Sequence, residues 1–219
     1  MNLAGCSPHG SFFREFAARL RTHWALKTIS LSLGMTAFFA VYFWVLNHPI
    51  FPVTIMPLTA VDRFVGFRPA ALPLYLSLWV YIPLAFVLRK NHRELLSWGI
   101  AAVALSVIGL GLFLLWPTAV PRLEIDWAAH PSFAFLKSVD ASGNACPSLH
   151  VAFAVLTAVH LGRLLREMGA RPVLHVGNWL WCLGIIFSTL ATGQHVALDA
   201  LAGAVLGAII AAPQRKSGG

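Results

Sequence analysis

The sequence predicts an all-α polytopic membrane protein, a bundle of six transmembrane helices with both termini in the cytoplasm, and three observations carry that prediction. The first is composition: 58% of the 219 residues are hydrophobic and 11% are charged, with mean hydropathy +0.73. Soluble domains carry roughly 25% charged residues, so this chain cannot cover a globular surface with polar groups. The second is pattern. Six apolar stretches, 28–46, 70–88, 95–116, 147–165, 173–190 and 196–212, each approach the ~20 residues that a spanning helix needs. The third is the placement of the 16 Lys and Arg. Arg14, Arg19, Arg21, Lys27, Arg89, Lys90, Arg93, Arg163, Arg166, Arg171, Arg215 and Lys216 fall on the side of the termini. Arg63, Arg68, Arg122 and Lys137 fall on the other. An excess of Lys and Arg marks the cytoplasmic side, and an even number of spans agrees with it.

The chain reads as one membrane domain: a basic segment 1–27, the bundle 28–212 and a tail 213–219. In SFFREFAARLRTHWALK, Phe12, Phe13, Phe16, Leu20 and Trp24 alternate with Arg14, Arg19 and Arg21, which suits a helix lying in the interface or an ordinary basic flank. The opening MNLAGC has the look of a lipoprotein cleavage box, without the charged and apolar regions that precede one. Span two contains Pro73 and Pro83, residues that kink helices. Span six, with Gly203 and Gly207 four apart among alanines, has the small-residue spacing that lets helices approach closely. Cys6, Cys146 and Cys182 form no CxxC pair. The net charge of +8 is spread between apolar runs rather than gathered on one soluble face, which argues against nucleic acid as a partner. The partner it implies is the bilayer itself. Nothing in the sequence sets an oligomeric state.

Within this frame the polar residues of NACPSLHVAF, 144–153, stand out, because a buried imidazole or hydroxyl without a partner is costly in hydrocarbon. The topology puts Ser148 and His150 at the outer end of span four. It puts His195 and Asp199, from TLATGQHVALD, at the outer end of span six. His195 and Asp199 are four apart and share a helix face. A carboxylate beside an imidazole fixes its tautomer and leaves the other ring nitrogen free as nucleophile or base. His150 is placed to give a leaving group its proton. The backbone amides around Ser148 and Leu149 open a helix, where anions are favoured. This set suggests phosphoryl transfer through a phosphohistidine. Read as a metal site, His150, His195 and Asp199 lack a recognisable ligand motif.

PSLHVAFAV together with STLATGQHVALD resembles the second and third motifs of the type 2 phosphatidic acid phosphatase superfamily. The flavour is that of its inositol phosphorylceramide synthase-like branch, in which Pro-Ser-Leu-His replaces Pro-Ser-Gly-His. The resemblance covers spans three to six. It implies that His195 is the nucleophile, Asp199 its orienting partner, His150 the general acid and Ser148 a holder of phosphate oxygens, with no metal or organic cofactor. The substrate it implies is a phosphorylated lipid, hydrolysed at the outer face. The alternatives are transfer of a lipid head group and, from another class, a non-catalytic scaffold or transporter. The membrane expected is a bacterial inner or plasma membrane, with the site on its periplasmic or extracytoplasmic face.

Two cations of the family pattern are missing. Thr189 stands where the third motif has a phosphate-binding arginine. The first motif, Lys-x6-Arg-Pro, has no counterpart that keeps its lysine. Arg122, followed by Leu123, lies in the right place, whereas the literal Arg68-Pro69 precedes span two. Arg122 is therefore the leading phosphate ligand, with Arg68, Arg63 and Lys137 as further outer-side candidates. Thr192 and Gln194 are uncharged donors nearby.

Overall fold

The computed structural model describes residues 8–122, 133 and 144–212. Cys6, Leu123, His130, Lys137, Arg215, Lys216 and the tail 213–219 lie outside the described residues. Helix α1, Pro8–Arg21, is followed by His23 in a left-handed conformation (φ 55°), and α2, Trp24–Asn47, begins at once. The helix that carries the first apolar stretch therefore begins at Trp24. Lys27 belongs to α2 and is buried, its Nζ donating to the carbonyls of Arg19 (2.6 Å) and Val87 (2.7 Å).

Span two is broken. A 3-10 turn, Pro69–Ala71, leads into α4, Leu72–Leu76, and then α5, Leu78–Val87. The break falls at Ser77, whose hydroxyl donates to Leu74 O (2.6 Å), the local side-chain bond that competes with helix continuation. Pro73 sits in the first turn of α4, where its missing N–H costs little, and Pro83 is carried inside α5. Helix α6, His92–Leu115, is opened by Asn91, which accepts from Glu94 N (2.9 Å) while the Glu94 carboxylate accepts from Lys90 N (3.1 Å).

The remaining spans are α7, Leu149–Glu167; α8, Pro172–Ala191; and α9, Ala197–Ala211. Helix α7 is the hub: 72% of its most apolar window is buried, against 6% for α2, whose flanks carry exposed Ile29, Leu33 and Trp44. A helix apolar all round and bare on the outside fits lipid as its solvent. Five segments, α2, Pro69–Val87, α6, α7 and α8, are long and apolar enough to cross a membrane. The sixth expected span, α9, is apolar but has 15 residues, about 22 Å of helix against a hydrocarbon core of about 30 Å.

Two connections hold the catalytic end together. A short helix α3, Ala60–Val65, follows strand β1, Thr54–Ile55, which pairs in parallel with β2, Thr118–Ala119. Strand β2 in turn binds the segment before α7: Ala145 N donates to Thr118 O (3.1 Å) and Cys146 N to Thr118 Oγ1 (2.8 Å).

Helices α7 and α9 pack through glycine. A Cβ on Gly203 would collide with the Ser148 carbonyl, and one on Gly207 with the Ala152 carbonyl. Because these obstacles are backbone, neither can move aside. Gly203→Ala is expected to lower stability by about 1–3 kcal/mol, the cost of overpacking, and to reduce turnover with it. Thermal unfolding in detergent checks the first and turnover the second.

Candidate active site

The site begins with the turn that ends α8. Gly193 (φ 67°) closes the helix in the left-handed conformation, and the Thr189 carbonyl accepts from both Gln194 N and His195 N (3.1 Å each). His195 is thereby delivered to the mouth of the bundle just before α9 starts. The first amides of α9 are already bound: Val196 N donates to Asp199 Oδ2 (3.0 Å) and Ala197 N to Asp62 Oδ1 (2.7 Å). Asp62 Oδ2 also accepts from the Thr59 amide and hydroxyl (2.7 Å each), tying α3 to α9.

His195 and His150 face each other. Their ring centroids are 5.5 Å apart, and His195 Nε2 lies 3.4 Å from His150 Nδ1. His195 Nδ1 lies 3.1 Å from Ala145 O and 3.7 Å from Asp199 Oδ2. A carbonyl only accepts, so Nδ1 carries the proton and Nε2 has the lone pair. The bond that sets this tautomer is thus to Ala145. Asp199, fully buried, caps α9 and places its charge behind the ring at a distance too long for a good hydrogen bond. On the far side of His150, Nε2 lies 2.7 Å from the Tyr75 hydroxyl, and the two rings are 4.9 Å apart. Every proton then has a place: Tyr75 O–H to His150 Nε2, His150 Nδ1–H to His195 Nε2, His195 Nδ1–H to Ala145 O. The Cys146 thiol is pushed up to about 11 by burial, with the Asp199 carboxylate adding to it, so it stays neutral beside the pair.

A cavity of about 1010 Å³ opens on both histidines and runs down between α2 and α6 as far as Leu26 and Leu95. Aromatic side chains, Phe38, Phe39, Tyr42 and Phe43 among them, line its upper part on α2. From Phe113 to Leu95 on α6 is about 27 Å of helix, close to the thickness of a bilayer core of about 30 Å.

The residues singled out in the sequence are distributed unequally around this cavity. His150, His195, Leu149 and Arg122 line it, Arg122 exposed. Leu149 packs against Gly109, where a Cβ would overlap it. Ser148 is fully buried and outside the cavity wall; its Oγ accepts from Val151 N (3.3 Å), which makes it the cap of α7. Arg68 is also outside the wall, exposed, with Nε donating to Val65 O (2.8 Å). The hydroxyls of Thr189 and Thr192 are turned back onto Ile186 O (2.8 Å) and Ser188 O (2.7 Å). Two residues that sequence reasoning did not reach, Tyr75 and Asn144, are in the wall. Tyr75 lies 75 positions from His150, and no spacing rule joins them. Asn144 opens the quoted stretch, yet its burial follows only from the fold.

A model of the PAP2 superfamily matches residues 72–212, nearly two thirds of the chain. The chain belongs to the PAP2 superfamily. Neither the curated proteins nor the solved structures compared with it contain a match. PAP2 membership supports an enzyme of the phosphatase or phosphotransferase type acting on lipid phosphate, and the paired histidines suit the histidine-based catalysis typical of the superfamily. The apolar helices suit its membrane setting.

In this PAP2 protein Tyr75 positions His150, acting through it. Tyr75→Phe removes a hydrogen bond with a net value of about 0.5–1.5 kcal/mol. It is expected to lower kcat roughly 3- to 10-fold and to shift its pH profile, with melting temperature lowered by only a few degrees; steady-state kinetics against pH test this.

Proposed function

We propose that the chain hydrolyses a phosphorylated lipid at the extracytoplasmic membrane face through a phosphohistidine on His195. One observation carries the reading: His195 Nε2, its other nitrogen committed to Ala145, faces His150 Nδ1 across 3.4 Å at the head of an apolar cavity. The phosphoryl group enters between the two rings. His195 Nε2 attacks phosphorus in line, and the bond to the lipid oxygen breaks. His150, protonated on both nitrogens when it acts, passes the Nδ1 proton to that oxygen. Tyr75 O accepts from Nε2–H in the cation and in the neutral ring left after Nδ1 gives up its proton, and donates to Nε2 only in the resting tautomer, so one hydroxyl serves each state. Water then attacks the phosphorus of the phosphohistidine, His150 takes its proton, and phosphate leaves.

The apolar cavity supports a lipid substrate, since its walls exclude the water that a soluble phosphate ester would need along its length. The Lys and Arg bias supports the placing of the histidine end away from the cytoplasm. A second reading rests on Leu149 in Pro-Ser-Leu-His: the inositol phosphorylceramide synthase-like branch, with an alcohol replacing water in the second step.

His195→Ala is expected to abolish turnover and the acid-labile, base-stable phosphoenzyme that brief exposure to 32P-labelled lipid phosphate forms. His150→Ala is expected to cost 10²–10⁴-fold on an alkyl ester and far less on p-nitrophenyl phosphate, whose leaving group needs no proton. Full turnover in His195→Ala would end the proposal. Release of free phosphate supports hydrolysis, and a new phosphodiester formed from an added alcohol supports transfer.

A further inference from the structure

The arginine that the superfamily resemblance places at 189 is a threonine here, its hydroxyl turned onto Ile186 O (2.8 Å). Among the described residues lining the cavity, Arg122 is the one Lys or Arg, and it is exposed. Two uncharged amides line the same wall, Asn144 and Gln194, each 6% exposed. Asn144 Nδ2 is buried without a hydrogen-bond partner, a costly state for a donor that water cannot reach. Its backbone is left-handed (φ 58°). Asparagine tolerates that conformation better than most residues, but a turn alone does not require that its amide be shut in with no acceptor. Asn144 is also chained to the nucleophile: the next residue, Ala145, accepts from His195 Nδ1 (3.1 Å), and Ala145 N is fixed to β2. The amide and the imidazole ring are therefore both tied to Ala145, which Thr118 of β2 holds.

We propose that Asn144 Nδ2 is the phosphoryl-oxygen donor of this site, with Gln194 a second amide in the cavity lining, and that a neutral cradle of this kind selects a phosphoryl group bearing one negative charge. The inference rests on the phosphohistidine reading above. Two substrates share the chemistry: the phosphodiester of a lipid with a head group, and a lipid monoester in its singly protonated form. An arginine would neutralise the second charge of a monoester dianion; an amide donates without doing so. In either case the bond made is His195 Nε2 to phosphorus, the bond broken is phosphorus to an ester oxygen, and His150 supplies the proton that oxygen takes.

The test uses the purified full chain with two probes, a lipid phosphodiester and a lipid phosphomonoester, at pH 5.5 and 8. Among the described residues, the groups around the mouth that titrate or carry charge include Tyr75, His150, His195, Asp199, Cys146, Arg122 and Asp62. Their own ionisation affects both probes, so the monoester-to-diester ratio isolates the substrate's charge. A phosphomonoester takes its second charge near pH 6, and the ratio is expected to fall several-fold from pH 5.5 to 8. A flat or rising ratio overturns the charge preference. A detectable diester rate assigns the head-group lipid as a source, and monoester turnover alone assigns the protonated monoester.

Asn144→Gly removes the amide while suiting the left-handed backbone. It is expected to keep or raise the melting temperature and to lower kcat about 100-fold, the effect of losing one oxyanion donor. Asn144→Asp, nearly isosteric, is expected to lower kcat further by setting a carboxylate against phosphate. Either variant within twofold of wild type overturns the assignment of Asn144. If His195→Ala is dead at the same time, the phosphohistidine reading survives that failure; if His195→Ala is active, both fall.

Discussion

The glycine seam between α7 and α9 sets the distance at which two imidazoles meet. Because Gly203 lies against the Ser148 carbonyl and Gly207 against the Ala152 carbonyl, the helices approach at backbone contact. That approach lets Ser148 N reach the carbonyl of Asp199 (2.9 Å). The hydrogen bond joins the residue that caps α7 to the residue that caps α9 through its carboxylate. His150 stands two positions beyond the first, and His195 four before the second. A side chain at either glycine would push the ring pair apart without touching either ring. The geometry of the histidine pair is a property of helix packing, and the packing is a property of two residues with no side chain.

Legibility in the sequence followed the range of the interaction. Spans α2, α6, α7 and α8 were readable to within a few residues at most ends, because each is set by its own hydrophobic length. The histidine pair was readable because both rings fall at the N-terminal starts of α7 and α9, two spans that run in the same direction with α8 between them. The break at Ser77 was not, since it depends on a local hydroxyl bond rather than on the prolines nearby. The β1–β2 pair joins residues 54–55 to 118–119 across two spans, and nothing in either short segment announces it. Ser148 illustrates a subtler limit. A serine before a helix reads equally as a cap and as a phosphate ligand. Only its complete burial, with its oxygen on Val151 N, identifies which the fold has chosen.

Distances also reassign the roles within the His195–Asp199 pair. A spacing of four residues suggests that the carboxylate holds the ring, and the carboxylate is indeed behind it. Yet Val196 N is the nearer donor to Asp199 Oδ2, at 3.0 Å against 3.7 Å for the imidazole. The ring is steered by Ala145 O instead, and Ala145 is steered by β2. Asp199 lies behind the ring as a buried carboxylate within 4 Å, and on the phosphohistidine route proposed above it would favour the cationic ring in a medium that screens poorly. Orientation and charge stabilisation, assigned to one residue by spacing, are divided between two by the fold.

The opposite end of the bundle explains where the missing cations went. Arg19, Lys27 and Arg89 are all buried there, and each donates to a carbonyl in or just past the last turn of α5: Leu88 O (3.4 Å), Val87 O (2.7 Å) and Ala85 O (3.2 Å). A helix as short as α5 ends with orphan carbonyls in an apolar setting, and cations at its negative end satisfy them. Arg89 also donates to His160 Nδ1 (2.7 Å), and burial lowers it to about 10. These cations are held by backbone carbonyls at the end of α5. Buried basic residues thus serve the end of the broken second span, whereas among the described residues lining the cavity at the histidine end Arg122 is the one Lys or Arg.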